Sequence, residues 1–198
     1  MDGISLGRTS YISDVAFDNL YPERIQLLSK RHWTPLRVVR QAAQFLADTP
    51  GRRILDIGSG VGKFCLAGAS MFPAATFFGV EQRQDLHEYA QAVKNITKTD
   101  NAHFLHANIT QLDLNEYENF YFYNSFYENL IKKDHIDQNL EYSVAIYNTY
   151  CLHLYRLLDS KPRGTRLVTY HSLEDEIPES YRLINTSEDA LLKMWVRK

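Results

Sequence analysis

The chain has 198 residues, of which 44% are hydrophobic and 23% charged, the length and composition of one globular domain with a sizeable core. A formal net charge of −2 excludes a protein held on nucleic acid mainly by a general basic field and leaves room only for a local basic patch, so nucleic acid is not favoured as a partner. Two cysteines in apolar surroundings, Cys65 and Cys151, exclude a disulfide scaffold and point to a reducing cytoplasm.

The opening stretch MDGISLGRTSYISD lacks the charged head and apolar run of a secretory leader. No apolar run approaches the ~20 residues that span a bilayer, so no membrane partner is expected. Residues 1–33 are mixed in character and are expected to form an irregular arm with one short helix near residues 21–29. Residues 34–198 are expected to form the main domain. Thr34-Pro35 reads as an N-cap followed by a first helical position. Leu36, Val39, Ala42, Ala43 and Leu46 then recur at helical spacing. Asp48-Thr49-Pro50-Gly51 stops that helix by turn chemistry.

RRILDIGSGVGKFCLAGASMF (52–72) reads as a buried strand over 53–57, a tight turn over 58–62 and a helix over 63–71. Strands are expected at 76–82 and 102–107, with a helix between them over 83–97. A fourth strand is expected over 120–123. Leu140, Val144, Tyr147, Cys151, Leu154 and Leu158 suit a long amphipathic helix over 137–158. A fifth strand at 165–171 precedes a closing pair at 181–185 and 191–196.

Alternating strands and helices from 36 to 171 predict an α/β fold: a doubly wound, mostly parallel sheet with helices on both faces. The closing pair makes seven strands and adds a C-terminal antiparallel hairpin. Ligands in such folds gather at the carboxyl ends of the strands, where strand order reverses. The informative loops are therefore 58–62, Glu81-Gln82, Asn108 and 124–128.

Asp56-Ile57-Gly58-Ser59-Gly60-Val61-Gly62 admits three readings. A nucleotide phosphate loop needs four residues between its glycines and a hydroxyl after the lysine, whereas here three residues intervene and Phe64 follows Lys63. The dinucleotide fingerprint GxGxxG, which would make the chain a nicotinamide-dependent oxidoreductase, has its third glycine in another register. An acidic residue two positions before GxGxG, at a strand end, resembles motif I of the class I S-adenosylmethionine-dependent methyltransferases. The resemblance runs from about Trp33 to the C-terminus and implies a Rossmann-like fold. It implies S-adenosylmethionine as cofactor and S-adenosylhomocysteine as product, with Gly58, Ser59, Gly60 and Gly62 against the amino-acid part of the ligand. Asp56 would meet its ammonium group, an opposite charge. Glu81, ending the second strand, would accept the ribose hydroxyls, with Gln82 beside it. Asn108 would meet the adenine amino group, unless it only forms a turn. A non-catalytic cofactor-binding or scaffold domain on the same fold is the rival from another class.

NFYFYNSFYEN (119–129) divides between a core strand and the loop beyond it. In adenine and glutamine methyltransferases that loop resembles [DNS]PP[YFW]. Here Asn124-Ser125-Phe126-Tyr127 lacks both prolines, which points away from a nucleobase or amide acceptor. NSF is similar to the corresponding loop of the Dot1-like lysine methyltransferases, as is GSGVGKFCLAGA. The acceptor expected is therefore a nitrogen or oxygen on a protein or small molecule. Asn124 would touch both cofactor and acceptor. Phe126 and Tyr127 would present ring faces to the sulfonium. Tyr127 and Glu128 are the candidate bases, with His171 more distant. Ser125 and Trp33 complete the expected acceptor site. The histidines are scattered and the carboxylates do not cluster, so no metal is expected.

Overall fold

The computed structural model describes residue 11 and residues 13–130, 136–137, 140–172 and 174–198. One mixed sheet holds seven strands: β1 (Arg53–Ile57), β2 (Thr76–Glu81), β3 (Ala102–His106), β4 (Asn119–Phe122), β5 (Arg166–Tyr170), β6 (Tyr181–Ser187) and β7 (Leu192–Arg197). Their spatial order is β3-β2-β1-β4-β5-β7-β6. The first five run parallel, and β7 lies antiparallel between β5 and β6.

The order follows from burial. β1 and β4 are the central pair, and both are covered on each face. Successive side chains of a strand point to opposite faces. Accordingly Ile54 and Tyr121 enter one core cluster, and Leu55, Phe120 and Phe122 enter the other. The first cluster is capped by α4 (Leu36–Leu46), α5 (Lys63–Met71) and α6 (Gln84–Thr97), and the second by α7 (Val144–Asp159). Each fully buried Phe or Leu contributes roughly 1.5–3 kcal/mol of burial free energy, and such residues fill both layers.

Three short helices precede α4: α1 (Asp14–Asp18), α2 (Glu23–Gln26) and α3 (Ser29–His32). Phe17, Tyr21, Ile25 and Trp33 are buried in the same cluster as α4 and α5. Thr34 does not cap α4. Pro35 is the cap residue, and the Leu36 N–H is satisfied by the Asp14 carboxylate at 2.9 Å. The Thr34 hydroxyl lies 2.9 Å from that of Tyr121 instead. α7 begins at Val144 rather than 137, because the Ser143 hydroxyl accepts the Ile146 N–H at 3.1 Å and sets the start. Residues 138–139 of the expected helix lie outside the described residues.

Strand order reverses between β1 and β4. From β1 the chain moves outward through β2 to β3, then returns across the sheet to β4 and β5. The carboxyl ends of β1 and β4 diverge into loops there, which leaves a crevice.

Candidate active site

A cavity of about 770 Å³ opens at that crevice. Along it stand Trp33 and Asp56, the loop residues Gly58, Ser59 and Gly60, then Glu81, Gln82, Asn108 and the run Asn124–Glu128. Of the residues singled out in the sequence, Gly62 is the one not on the wall. It is the cap residue of α5 at φ +83°, and a Cβ there would meet the Phe104 ring at 2.5 Å. Its role is close packing.

The glycine turn faces inward. The Gly58 and Ser59 N–H groups both donate to the Val80 carbonyl, at 3.0 and 2.9 Å. The Gly60 N–H donates to Glu81 Oε2 at 2.9 Å, and the Gly62 N–H to the Ser59 carbonyl at 2.8 Å. A pyrophosphate cradle needs such groups aimed at the ligand. Their use inside the protein weighs against the nicotinamide reading. Gly58 sits at φ +77°, and a Cβ there would meet the Ser125 side chain at 2.4 Å.

The wall carries buried carboxylates and cations together: Asp56, Glu81 and Glu128 beside Lys63 and Arg83, with Lys30 and Arg31 at the rim. Asp56 is buried, and its neighbour is the Cys65 thiol, 3.8 Å from Oδ2. Burial raises the Asp56 pKa to about 8, and the Glu81 charge adds to the rise. Glu81 is also raised by burial, against the Arg83 and Gly60 N–H groups that favour its charged form. A cation brought beside Asp56 would favour its ionised form.

Arg83 is the residue that sequence reading missed. Its guanidinium is buried, donating to Glu128 Oε2 at 2.7 Å, Asp137 Oδ2 at 2.8 Å and the Tyr142 hydroxyl at 3.0 Å. It also lies 3.8 Å from Glu81 Oε1, which accepts the Arg83 N–H at 2.8 Å. Burial opposes its charge more than any one partner favours it, but the Glu128 and Glu81 carboxylates and the Tyr142 hydroxyl together outweigh burial and raise its pKa. Glu128 is thus tied in an ion pair rather than offered as a base. Lys63 was also hidden. Its side chain is 4% exposed, the ammonium bridging Asp14 at 2.7 Å and Asp18 at 2.9 Å and facing the rings of Phe17 and Trp33.

Asn108 forms a turn, its Oδ1 accepting the Thr110 N–H and hydroxyl. Its amide nitrogen donates to Gln82 Oε1 at 3.0 Å and to the Tyr150 hydroxyl at 2.6 Å, so the three side chains form one polar end of the cavity. At the other end Asn124 takes a left-handed backbone, φ +39°. The Ser125 hydroxyl donates to the Ile57 carbonyl at 2.7 Å, locking the loop after β4 onto the end of β1. Phe126 packs on Phe122 and Tyr150 with ring centroids 4.9 and 5.2 Å apart. Tyr127 follows on the wall, its N–H donating to the Asn124 carbonyl at 3.0 Å. Trp33 stands edge-on to Tyr21, whose hydroxyl donates to the Val61 carbonyl at 2.9 Å. Among the described residues no group of three His, Cys, Asp or Glu side chains gathers as metal ligands, and no helix is long and apolar enough to cross a membrane.

A glycine turn at the strand-order reversal of a seven-stranded sheet closed by an antiparallel hairpin is the class I S-adenosylmethionine-dependent methyltransferase fold. A family profile described as a methyltransferase domain matches residues 48–195, and the chain belongs to that family. Two tRNA (guanine-N(7)-)-methyltransferases of Synechococcus are similar in part. The one from strain JA-3-3Ab is 46% identical over 78 residues, 39% of this chain and 29% of the relative. The one from strain JA-2-3B'a(2-13) is 51% identical over 55 residues, 28% and 23%. The chain therefore spans under a third of the length of these curated relatives. An RNA methyltransferase from Salinibacter ruber in complex with S-adenosyl-L-homocysteine shares the fold, with a TM-score of 0.59 at 20% identity over 83% of this chain and 93% of that one. TrmN from Thermus thermophilus has a TM-score of 0.59 at 19% identity, covering 87% and 51%.

Proposed function

We propose that this chain transfers a methyl group from S-adenosylmethionine to a ring nitrogen of an RNA base, with guanine N7 of tRNA as the acceptor. The observation that carries the cofactor half is the buried pair Asp56 and Glu81 on one cavity wall. A ligand with an ammonium, a sulfonium and a ribose diol answers that wall: Asp56 takes the ammonium, and Glu81 accepts from the diol while keeping its bond to Gly60. Gln82, Asn108 and Tyr150 offer the hydrogen-bonding edge for adenine. When bound, the cofactor supplies an electrophilic methyl on a positively charged sulfur. The chain aligns the acceptor, with the side-chain and backbone oxygens of Asn124 at the loop's strained start, and the rings of Phe126 and Tyr127 exclude water.

The acceptor half draws on the partial relatives and on Glu128. Guanine N7 is a lone-pair acceptor that carries no hydrogen, so it needs no base to deprotonate it. A site whose nearest carboxylate is paired with Arg83 suits such a nucleophile. The missing prolines of the amino-group motif bear on exocyclic amines, not on a ring nitrogen. This departs from the protein or small-molecule acceptor expected from the loop after β4, and from the disfavouring of nucleic acid by net charge, which reports only the general field.

The test is methyl transfer from labelled S-adenosylmethionine to a tRNA transcript and to the same transcript built with 7-deazaguanine. Label entering only the first supports guanine N7. Equal labelling of both moves the acceptor to another atom, and no labelling of either removes tRNA as substrate.

A further inference from the structure

The cavity extends past the glycine turn to the ends of β4 and β5, where a second group of residues stands. Tyr123 and His171 follow those strands and line the wall. Their rings lie nearly parallel, 26° apart with centroids at 5.6 Å, and the buried Tyr170 ring supports both at 4.8 and 4.3 Å. His171 is exposed and Tyr123 half-buried. Burial lowers the His171 pKa, which favours the neutral ring. His171 holds a left-handed backbone at φ +59°, as Asn124 does at +39° on the neighbouring strand end. Beside the rings runs α3, carrying the exposed Lys30 and Arg31 on the cavity rim. The Tyr123 hydroxyl donates to the Arg31 carbonyl at 2.9 Å and fixes that helix against the ring. From Glu81 to His171 the sheet crosses three strand spacings, on the order of 14 Å at ~4.8 Å each, which leaves this end for a second ligand.

We propose that Tyr123 and His171 form the stacking face for an unpaired base of the RNA acceptor, with Lys30 and Arg31 holding the phosphates beside it. The proposal rests on the RNA reading above. Exposed aromatic faces next to cationic side chains are how single-stranded or looped RNA is gripped, the ring taking the base and the cation the backbone. A protein side chain would need neither the paired rings nor two cations.

The test is fluorescence anisotropy of a labelled tRNA transcript against the full chain across a salt series. Wild type is compared with Lys30→Ala/Arg31→Ala and with His171→Asn, which removes the ring while tolerating the left-handed backbone. S-adenosylhomocysteine affinity is measured on every variant as a control for folding. Loss of two phosphate contacts lowers the slope of log K against log salt by about 1.4. Loss of one stacking ring weakens binding about tenfold. Both changes, with cofactor affinity within twofold of wild type, support the subsite. Wild-type RNA binding that the variants leave unchanged overturns the subsite and spares the RNA acceptor. No RNA binding by a wild type that does bind S-adenosylhomocysteine overturns the acceptor reading, and the subsite with it.

Discussion

Asp56 carries the clearest consequence of burial. With its pKa near 8, the free protein holds a proton on this carboxyl at neutral pH. An ammonium ligand needs the ionised form, so binding below pH 8 must release that proton. Affinity for S-adenosylhomocysteine should therefore rise with pH, by up to tenfold per unit, and level off above 8. Calorimetry between pH 6 and 8.5 in buffers of different ionisation enthalpy measures both the slope and the proton. Asp56→Asn should flatten the profile. The raised pKa also means that the native state binds this proton more tightly than the unfolded chain. Asp56 thus contributes stability at low pH that is lost as pH rises through about 8, and Asp56→Asn should lessen that loss. Arg83 acts in the opposite sense, holding Glu81, Glu128 and Asp137 together. Removing the cation from a buried group of acids costs about 3–5 kcal/mol. Arg83→Met should show that loss in urea unfolding at pH 7 and recover part of it at pH 5, where carboxylates protonate. Asp56, Gly58 and Glu81 were legible in the sequence because each stands at a fixed offset from a strand end. Arg83 was not, because Glu128 lies 45 residues further along the chain and no local pattern joins them.

The short helices before α4 are bound to the glycine turn through Lys63, the first residue of α5. Its ammonium satisfies Asp14 and Asp18 of α1, and Tyr21 reaches the Val61 carbonyl. Trp33 and Thr34, which line the cavity, follow directly on α3. Lys63→Met should destabilise the chain by about 1–3 kcal/mol. Hydrogen exchange should quicken first over residues 14–33, and S-adenosylhomocysteine should bind more weakly. Unchanged exchange there would dissociate these helices from the site. Helix and strand periods fixed most elements, since α5 and β1 obey purely local rules. The start of α7 escaped because apolar spacing extends past the Ser143 cap. Thr34 was misread because a cap and a buried hydrogen-bond partner look alike until Tyr121 is placed beside it. The packing of α1 to α3 was hidden for the same reason: Lys63 reads as a helix-start charge unless the two aspartates are known to be its partners.

The whole molecule sets a cavity lined by buried carboxylates and cations at the strand-order reversal of a seven-stranded sheet. The alternation of strands and helices made that architecture legible, while which loops converge depends on the β1–β4 pairing, a contact of long sequence separation. The small net negative charge and the cationic rim at α3 coexist because one is a sum and the other a placement. A ligand that binds only the folded state stabilises it by about 2.7 kcal/mol at a hundred times its Kd. For a chain of this size that raises Tm by about 5–10 °C. The cavity is expected to take S-adenosylmethionine and its product through Glu81. Calorimetric titration of wild type and Glu81→Ala with S-adenosylhomocysteine, with NADH alongside, decides this. Micromolar binding to wild type, at least tenfold weaker in the variant and absent for NADH, is the expected result. Binding of NADH by well-folded protein that ignores S-adenosylhomocysteine would contradict it.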